Sequence, residues 1–235
     1  MKASIVIPAL NEANYIVPTL IAARTQVFPE PYEIIVIDNG STDGTGDIAR
    51  RFPDVQVIRE ERRGLLWARE AGRLAAHGEI IVQLDADSMP PYDWLARGIP
   101  YFADPNVVCV SGPYYYYDAR MSFRLAAFAY HMIVIWGIHS LLSILKKGAI
   151  GQGGNMFIRK SALEKIGGYN TDITFYGEDV DTARRLSKVG KVIFSPRIPN
   201  NSSARRFKDM GVFKLVYVYG MNFFWMYFFK RPYTR

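Results

Sequence analysis

Two aspartates one residue apart, Asp85 and Asp87 in GEIIVQLDADSMPP, stand where an apolar run ends. The run 79–84 reads as a buried strand, so both carboxylates leave it at its carboxyl edge, where open α/β sheets bind ligands. Two hard oxygen donors at this spacing can share one divalent cation while leaving coordination positions open for phosphate oxygens. That chemistry suits a diphosphate-bearing small molecule. An ordinary reading stands beside it, because Asp builds turns and caps helices, and Ser88, Pro90 and Pro91 mark a turn here in any case. A second acidic group lies in YGEDVD, at the start of a segment, 178–189, that reads as a helix. Asp181 is spaced to pair with Arg184 or Arg185 along that helix. Asp179 sits in the first turn, where the helix dipole keeps a carboxylate ionised, a state that suits a general base.

The elements that must position these acids follow from the apolar runs. A strand over 3–7 stops at Pro8, and Asn11 is placed to cap a helix beginning near Glu12. A second strand, YEIIVID, ends at Asp38 before a Gly, Ser, Thr and Asp-rich turn. A helix over 47–52, a short strand over 55–58 and a helix over 65–76 then lead to the strand that carries the Asp pair. Such alternation of strands and helices predicts an α/β fold with a doubly wound, mostly parallel sheet. Later, 156–159 reads as a strand following the Gly-rich stretch 148–155. Those glycines permit either a close backbone approach to a ligand or a simple chain reversal.

Six segments in order now carry a resemblance: SIVIPALNE, IVIDNGSTDGT, the stretch from Ala68 to Gly72, LDADS, GQGGNMFIRKSALEKIGGY and YGEDVD. Together, over roughly residues 2 to 195, they resemble family-2 glycosyltransferases of the GT-A (Rossmann-like) fold. The resemblance implies an inverting, nucleotide-sugar-dependent hexosyltransferase with Mn or Mg as cofactor. It implies that Pro8, Ala9, Asn11 and Glu12 form the first nucleotide-contacting loop and that Asp38 accepts a hydrogen bond from the base. By the same resemblance Asp85, beside Ala86, is the ribose or metal-side carboxylate, and Asp87 is the direct metal ligand. Glu178 and Asp179 correspond to the acidic pair that supplies the base, with Asp179 favoured. Arg63 falls near the nucleotide, and Gly153, Gly154 and Asn155 near the donor sugar. Some relatives add a late histidine as metal ligand, but none follows His139 here, and Asn200, Asn201 and Ser202 occupy about that stretch. Arg205-Arg206-Phe207 resembles the basic-aromatic motif of processive members without its Gln and Trp, which implies one addition per encounter.

The chemistry agrees with these residue types: inverting transfer needs one carboxylate base and charge neutralisation on the departing diphosphate. A dehydrogenase does not fit. Gly44-x-Gly46-x-x-Ala49 matches the dinucleotide pattern formally, yet the glycines begin well after Asp38, and Arg62 and Arg63 stand where a ribose-binding acid belongs. Two other classes remain as alternatives: a catalytically silent sugar-nucleotide binding module at a membrane, and a soluble nucleotidyltransferase.

At 235 residues and 49% hydrophobic, the chain has material for one sizeable core. The expected division is a catalytic domain over 1–207, its nucleotide half 1–112 and acceptor half 113–207, followed by a helix and basic tail over 208–235. The single cysteine, Cys109, lies in an apolar strand and suits a reducing cytoplasm. No secretory signal is read at the amino terminus. The net charge of +7 gathers late, at Arg205, Arg206, Lys208, Lys214, Lys230, Arg231 and Arg235. The apolar, aromatic run Val212–Phe229 between these positives points to a lipid surface rather than nucleic acid. As a helix it would extend about 27 Å, and its basic tail favours lying in the inner membrane face over crossing it. A core or homodimer-interface helix is the ordinary alternative. The apolar stretch 125–145 separates the two acidic groups in sequence. A single crossing there would put them on opposite sides of a bilayer, so a bent helix or hairpin over the acceptor side is expected, with His131 and His139 packed rather than metal-bound. Of tyrosines 114–117, at most half can face one ligand, because strand side chains alternate. The acceptor expected from these hydrophobic additions is lipid-linked or a glycan.

Overall fold

The computed structural model describes residues 1–144, 149–173, 177–229 and 233. Gly148, Tyr176, Lys230, Arg231 and Arg235, singled out from the sequence, lie outside the described residues, as does the side chain of Lys208.

β1 (Ala3–Ala9), α1 (Ile16–Arg24), β2 (Tyr32–Asp38), α2 (Thr45–Ala49), β3 (Val55–Arg59), α3 (Leu65–Ala75) and β4 (Ile80–Leu84) alternate as the sequence predicts. Next come β5 (Ser88–Met89), α4 (Trp94–Gly98), β6 (Val107–Ser111), β7 (Tyr114–Tyr116), α5 (Met121–Tyr130) and α6 (Trp136–Ile144). The chain closes with β8 (Asn155–Arg159), α7 (Lys160–Lys165), α8 (Glu178–Leu186), β9 (Lys191–Phe194), β10 (Asn200–Ser202), α9 (Arg205–Met210) and α10 (Val212–Phe229). The main sheet has the order β3-β2-β1-β4-β8-β6-β9. It is parallel except for β8, which runs antiparallel to both β4 and β6. A small second sheet, β5-β10-β7, covers the site end.

Strand order reverses between β1 and β4, and this switch point opens the crevice in which α/β sheets bind ligands. Alternate residues of β1 serve the two faces: Ala3, Ile5 and Ile7 pack with Ile16 and Leu20 of α1, while Val6 packs with Ile35, Ile37 and Leu66 on the other side. α3 comes so close to β1 that a Cβ on Gly72 would stand 2.2 Å from the Val6 side chain. Cys109 is fully buried in β6, as expected of a core thiol.

One expectation changes and two are narrowed. Asn11 does not cap α1: its φ is +56°, its carboxamide accepts the Thr42 N–H at 2.9 Å, and the helix starts later, at Ile16. It ties the loop after β1 to the loop after β2. Of the bent helix and the hairpin expected over 125–145, the described residues through 144 show a single helix, in which α5, a π-helical turn His131–Ile135 and α6 continue one another. Finally, Met121–Leu142 is a helix long and apolar enough to cross a membrane, an 18-residue window within it reaching mean hydropathy 1.6. α10 instead buries Asn222 and Met226. A Cβ on Gly177, which precedes α8, would lie 3.2 Å from Met226.

Replacing Met226 with Ala should therefore destabilise the whole fold by about 2–5 kcal/mol, the usual effect of truncating a buried Met. Urea denaturation checks this; an unchanged midpoint would show that α10 is not part of the cooperative unit.

Candidate active site

The carboxyl ends of β1 and β4 open into a cavity of about 820 Å³. Its walls include Pro8, Ala9 and Glu12 from the loop after β1, Asp85, Ala86 and Asp87 after β4, Gly153 and Gly154 before β8, and Glu178 and Asp179 at the start of α8. The two acidic groups, far apart in sequence, thus meet in one space.

A buried guanidinium holds them there. Arg69 of α3 reaches Asp85 at 3.7 Å with Nη2 and Glu178 at 3.6 Å with Nη1. The glycine pair is shaped to this arrangement. A Cβ on Gly153 would come within 2.8 Å of Arg69, and one on Gly154 within 2.1 Å of the Asp85 carboxylate. The Gly154 N–H donates to the Tyr114 hydroxyl at 2.7 Å, which in turn donates to Asp85 at 3.4 Å. Of the two readings of the Gly-rich stretch, close approach applies to Gly153 and Gly154, and the groups approached are the site's own side chains.

Asp87 is engaged by a second arginine. Arg205 Nε lies 2.9 Å from its Oδ2, and the same guanidinium hydrogen-bonds Glu12 and stacks over Tyr15. Burial first, and then the charge of Asp85, push the Asp87 carboxyl up from 3.8 to about 6 against the pull of Arg205. Burial likewise raises Asp179, and burial with the Asp179 charge raises Glu178. The helix dipole alone pointed the other way for Asp179; enclosure outweighs it. Asp179 Oδ1 accepts the Val180 N–H at 2.8 Å, and among the described residues Asp179 makes no ion pair. Asp181 is bound to Arg184 at 2.8 Å and Arg185 at 3.6 Å, the structural role its spacing predicted.

Of the other sequence candidates, Asn11, Asp38, Arg63 and Asn155 lie off the cavity wall. Asp38 is buried and accepts the Ser41 N–H at 2.9 Å, so it shapes the loop after β2. Arg63 approaches the carbonyl of Gly40 at 3.5 Å. Asn155 is corrected from donor-sugar contact to scaffold: fully buried, it accepts from Trp94 at 2.9 Å and donates to the carbonyls of Pro113 and Ile198. Asn200 is spent on the Gly154 carbonyl and Asn201 on the Met89 carbonyl, leaving Ser202 of that trio on the wall. Tyr114 and Tyr116 line the cavity while Tyr115 does not, which is the alternation expected of a strand. His131 and His139 are packed; His139 Nδ1 faces the Ile150 carbonyl at 3.2 Å.

Sequence reasoning missed Arg69, Arg205 and Tyr219 as wall residues. Arg69 had a signal: it shares the buried stripe of α3 with Leu66 and Gly72, and an arginine on an apolar stripe requires a buried anion. Arg205 had one in the basic-aromatic run Arg205-Arg206-Phe207, read only for processivity, while Tyr219 had none, because only the return of α10 brings it back.

A divalent cation fits this donor set. Asp85 and Asp87 face one space with mutual repulsion, and the neighbouring Glu12 Oε2 is buried without a hydrogen-bond partner. Among the described residues no three His, Cys, Asp or Glu side chains form a metal cage, so Asp85 and Asp87 would be the carboxylates to hold such a cation.

A mostly parallel sheet with carboxylates at its switch point and a second acidic pair opposite is the GT-A arrangement. Residues 4–167 match glycosyl transferase family 2, and the chain belongs to that family. It is 28% identical over 214 residues to the glycosyltransferase AglE of Haloferax volcanii, covering 88% of this chain and 68% of AglE. In structure it is similar to the mannosyltransferase PcManGT of Pyrobaculum calidifontis in complex with GDP-Man and Mn2+, with TM-score 0.73 and 25% identity over 97% of this chain and 63% of that one. It shares its fold with S. aureus TarS 1-349 in complex with UDP-GlcNAc, at TM-score 0.66 and 18% identity over 87% of this chain and 59% of that one. The chain therefore spans about two thirds of AglE and somewhat less of these structures.

The raised Asp87 carboxyl has a stability consequence. A buried acid whose folded pKa lies above its unfolded value favours the protonated fold, so stability falls as pH rises from about 4 to 6 and stays lower above that. In metal-free buffer, Asp87→Asn should stabilise the protein at pH 8 by up to about 3 kcal/mol, from the shift of 3.8 to about 6. It should bring no gain at about pH 4. Thermal unfolding at both pH values, with chelator present, checks the sign.

Proposed function

We propose that this chain is the catalytic part of an inverting, metal-dependent hexosyltransferase. It moves a sugar from a nucleoside-diphosphate donor, UDP-linked by preference and GDP-linked as the alternative, to a lipid-linked or glycan acceptor. The observation that carries this reading is the convergence of Asp85 and Asp87 with Glu178 and Asp179 on one cavity at the sheet's switch point.

In this mechanism Asp179 is the base. Burial raises its carboxyl against the opposing pull of the Val180 N–H and the Arg69 charge, which makes the ionised form a stronger proton acceptor. Glu178 is held by Arg69 and keeps the pair in register. Asp179 takes the proton of the acceptor hydroxyl, the acceptor oxygen bonds to the anomeric carbon from the face opposite the leaving group, and the bond to the diphosphate breaks. Nucleoside diphosphate departs with its electron pair, and the sugar is inverted. Asp87 and Asp85 would hold the cation, Mn or Mg, which when bound neutralises charge on the diphosphate. Arg205, already on Asp87, adds positive charge on the same side. Asn11 and Asp38 shape the loops of the nucleotide side, and Pro8 and Ala9 face it. Work at the cytoplasmic face of the inner membrane, as a peripheral protein, follows from the supply of nucleotide sugars and the exposed apolar surface; a homodimer is compatible with it.

Asp179→Asn should lower turnover by about two to four orders of magnitude with donor affinity nearly intact, the range for loss of a positioned base. Glu178→Gln serves as the comparison. Nucleoside diphosphate release from a panel of UDP- and GDP-sugars with Mn, read with calorimetric donor binding, tests both. A turnover defect confined to Glu178→Gln would reverse the two acids. Pyrophosphate release would instead identify a nucleotidyltransferase, and donor binding with no release a silent binding module.

A further inference from the structure

The helix 121–144 has two faces of different use. Phe123, Ala127, Ile135 and Ile138, at helical spacing, line the catalytic cavity beside His131. Phe123 also packs on Tyr116 and Phe207, with ring centroids 5.7 and 4.9 Å apart. The opposite face is apolar as well and open to solvent: Leu125, Ile133, Trp136 and Leu141 are each more than half exposed, Ile133 at 74%. A solvent-facing helix is normally polar on its outer side, and one that is apolar all round belongs in a core or in lipid. An 18-residue window within Met121–Leu142 reaches mean hydropathy 1.6 with only 17% of it buried.

Charge at the ends indicates what covers this face. Arg120 and Arg124 stand at its start, and Lys146 and Lys147 follow it in sequence. Basic residues flanking an apolar helix face match anionic headgroups around an acyl interior. A transverse crossing conflicts with the inner face, where Phe123, Ala127, Ile135 and Ile138 line the catalytic cavity and His131, His139 and Leu142 are buried, so lipid would not surround the helix on all sides.

We propose that helix 121–144 lies in the plane of an anionic membrane, outer face sunk in lipid, and that its inner face admits the long apolar chain of a lipid acceptor into the catalytic cavity. This rests on the transferase reading and selects its lipid acceptor over the glycan one. The chain of such an acceptor passes from bilayer to apolar wall without crossing water. Its reactive head meets the carboxylates on the polar floor, since one cavity holds both Ile138 and Asp179.

The test uses the full chain and the triple variant Leu125→Glu, Ile133→Glu, Trp136→Glu, whose sites are exposed and outside the cavity wall. Flotation with phosphatidylcholine vesicles containing phosphatidylglycerol should capture the wild type, and the variant should bind at least about tenfold more weakly. Donor hydrolysis to water should stay within about twofold. On vesicles, transfer to a long-chain isoprenyl phosphate should exceed transfer to a short water-soluble homologue for the wild type, and the variant should lose that preference. Equal flotation of both proteins, or equal use of long and short acceptors by the wild type, would overturn the proposal. So would a wild-type dimer that ignores vesicles and becomes monomeric in the variant, since the face would then be a self-interface. Flotation needs no turnover, so failure to release nucleotide from any donor would sink the transferase reading while leaving the membrane arm decisive.

Discussion

The site depends on one buried cation. Arg69 sits inside the protein between Asp85 and Glu178, and without it the carboxylates converging on this cavity would repel one another in a poorly solvated space. Burying a charge is costly unless it is paired; here the guanidinium and the acids offset each other's desolvation. The geometry around it follows. Gly153 and Gly154 must lack side chains because Arg69 and Asp85 occupy that volume, and Tyr114 bridges the glycine backbone to Asp85. α3, β4, the Gly-rich loop and α8 are thereby locked into one unit.

The compensation is incomplete on the other side. Arg205 neutralises part of Glu12 and Asp87, yet Asp87 remains well above an ordinary aspartate and one Glu12 oxygen stays unpartnered. Surplus buried negative charge of this kind costs stability, the familiar cost of preorganised sites. Because Arg205 comes from α9, the carboxyl-terminal segment completes the cavity wall beside Asp87 and does more than trail behind it. α10 continues the same wall through Tyr219 and Phe223 while burying Met226.

Apolar surface is divided in the same economical way. Val212–Phe229, the more aromatic run, turns inward at Asn222 and Met226, and the helix 121–144 is left with its outer face open. The sequence placed lipid contact first at Val212–Phe229. Their neighbours separate the two runs: Gly177, at the start of α8, closely approaches Met226 of α10, whereas Ile133 and Trp136 remain more than half exposed.

The sequence alone determined the alternating strands and helices, the placement of Asp85 and Asp87 at a strand end, and the Asp181 ion pairs. These depend on local periodicity and on spacing within one element, which residue order records directly. The resemblance, carried by six ordered motifs, supplied the family and the identity of the acidic pairs. Tertiary structure decided what depends on contact between distant segments. It turned Asn11 from a helix cap to a bridge between loops, made Asn155 a scaffold amide, brought Arg69 and Arg205 to the carboxylates, and sent enclosure against the helix dipole at Asp179. Hydrogen-bond partners and desolvation are set by whatever the rest of the chain places nearby, and no local pattern encodes that neighbour.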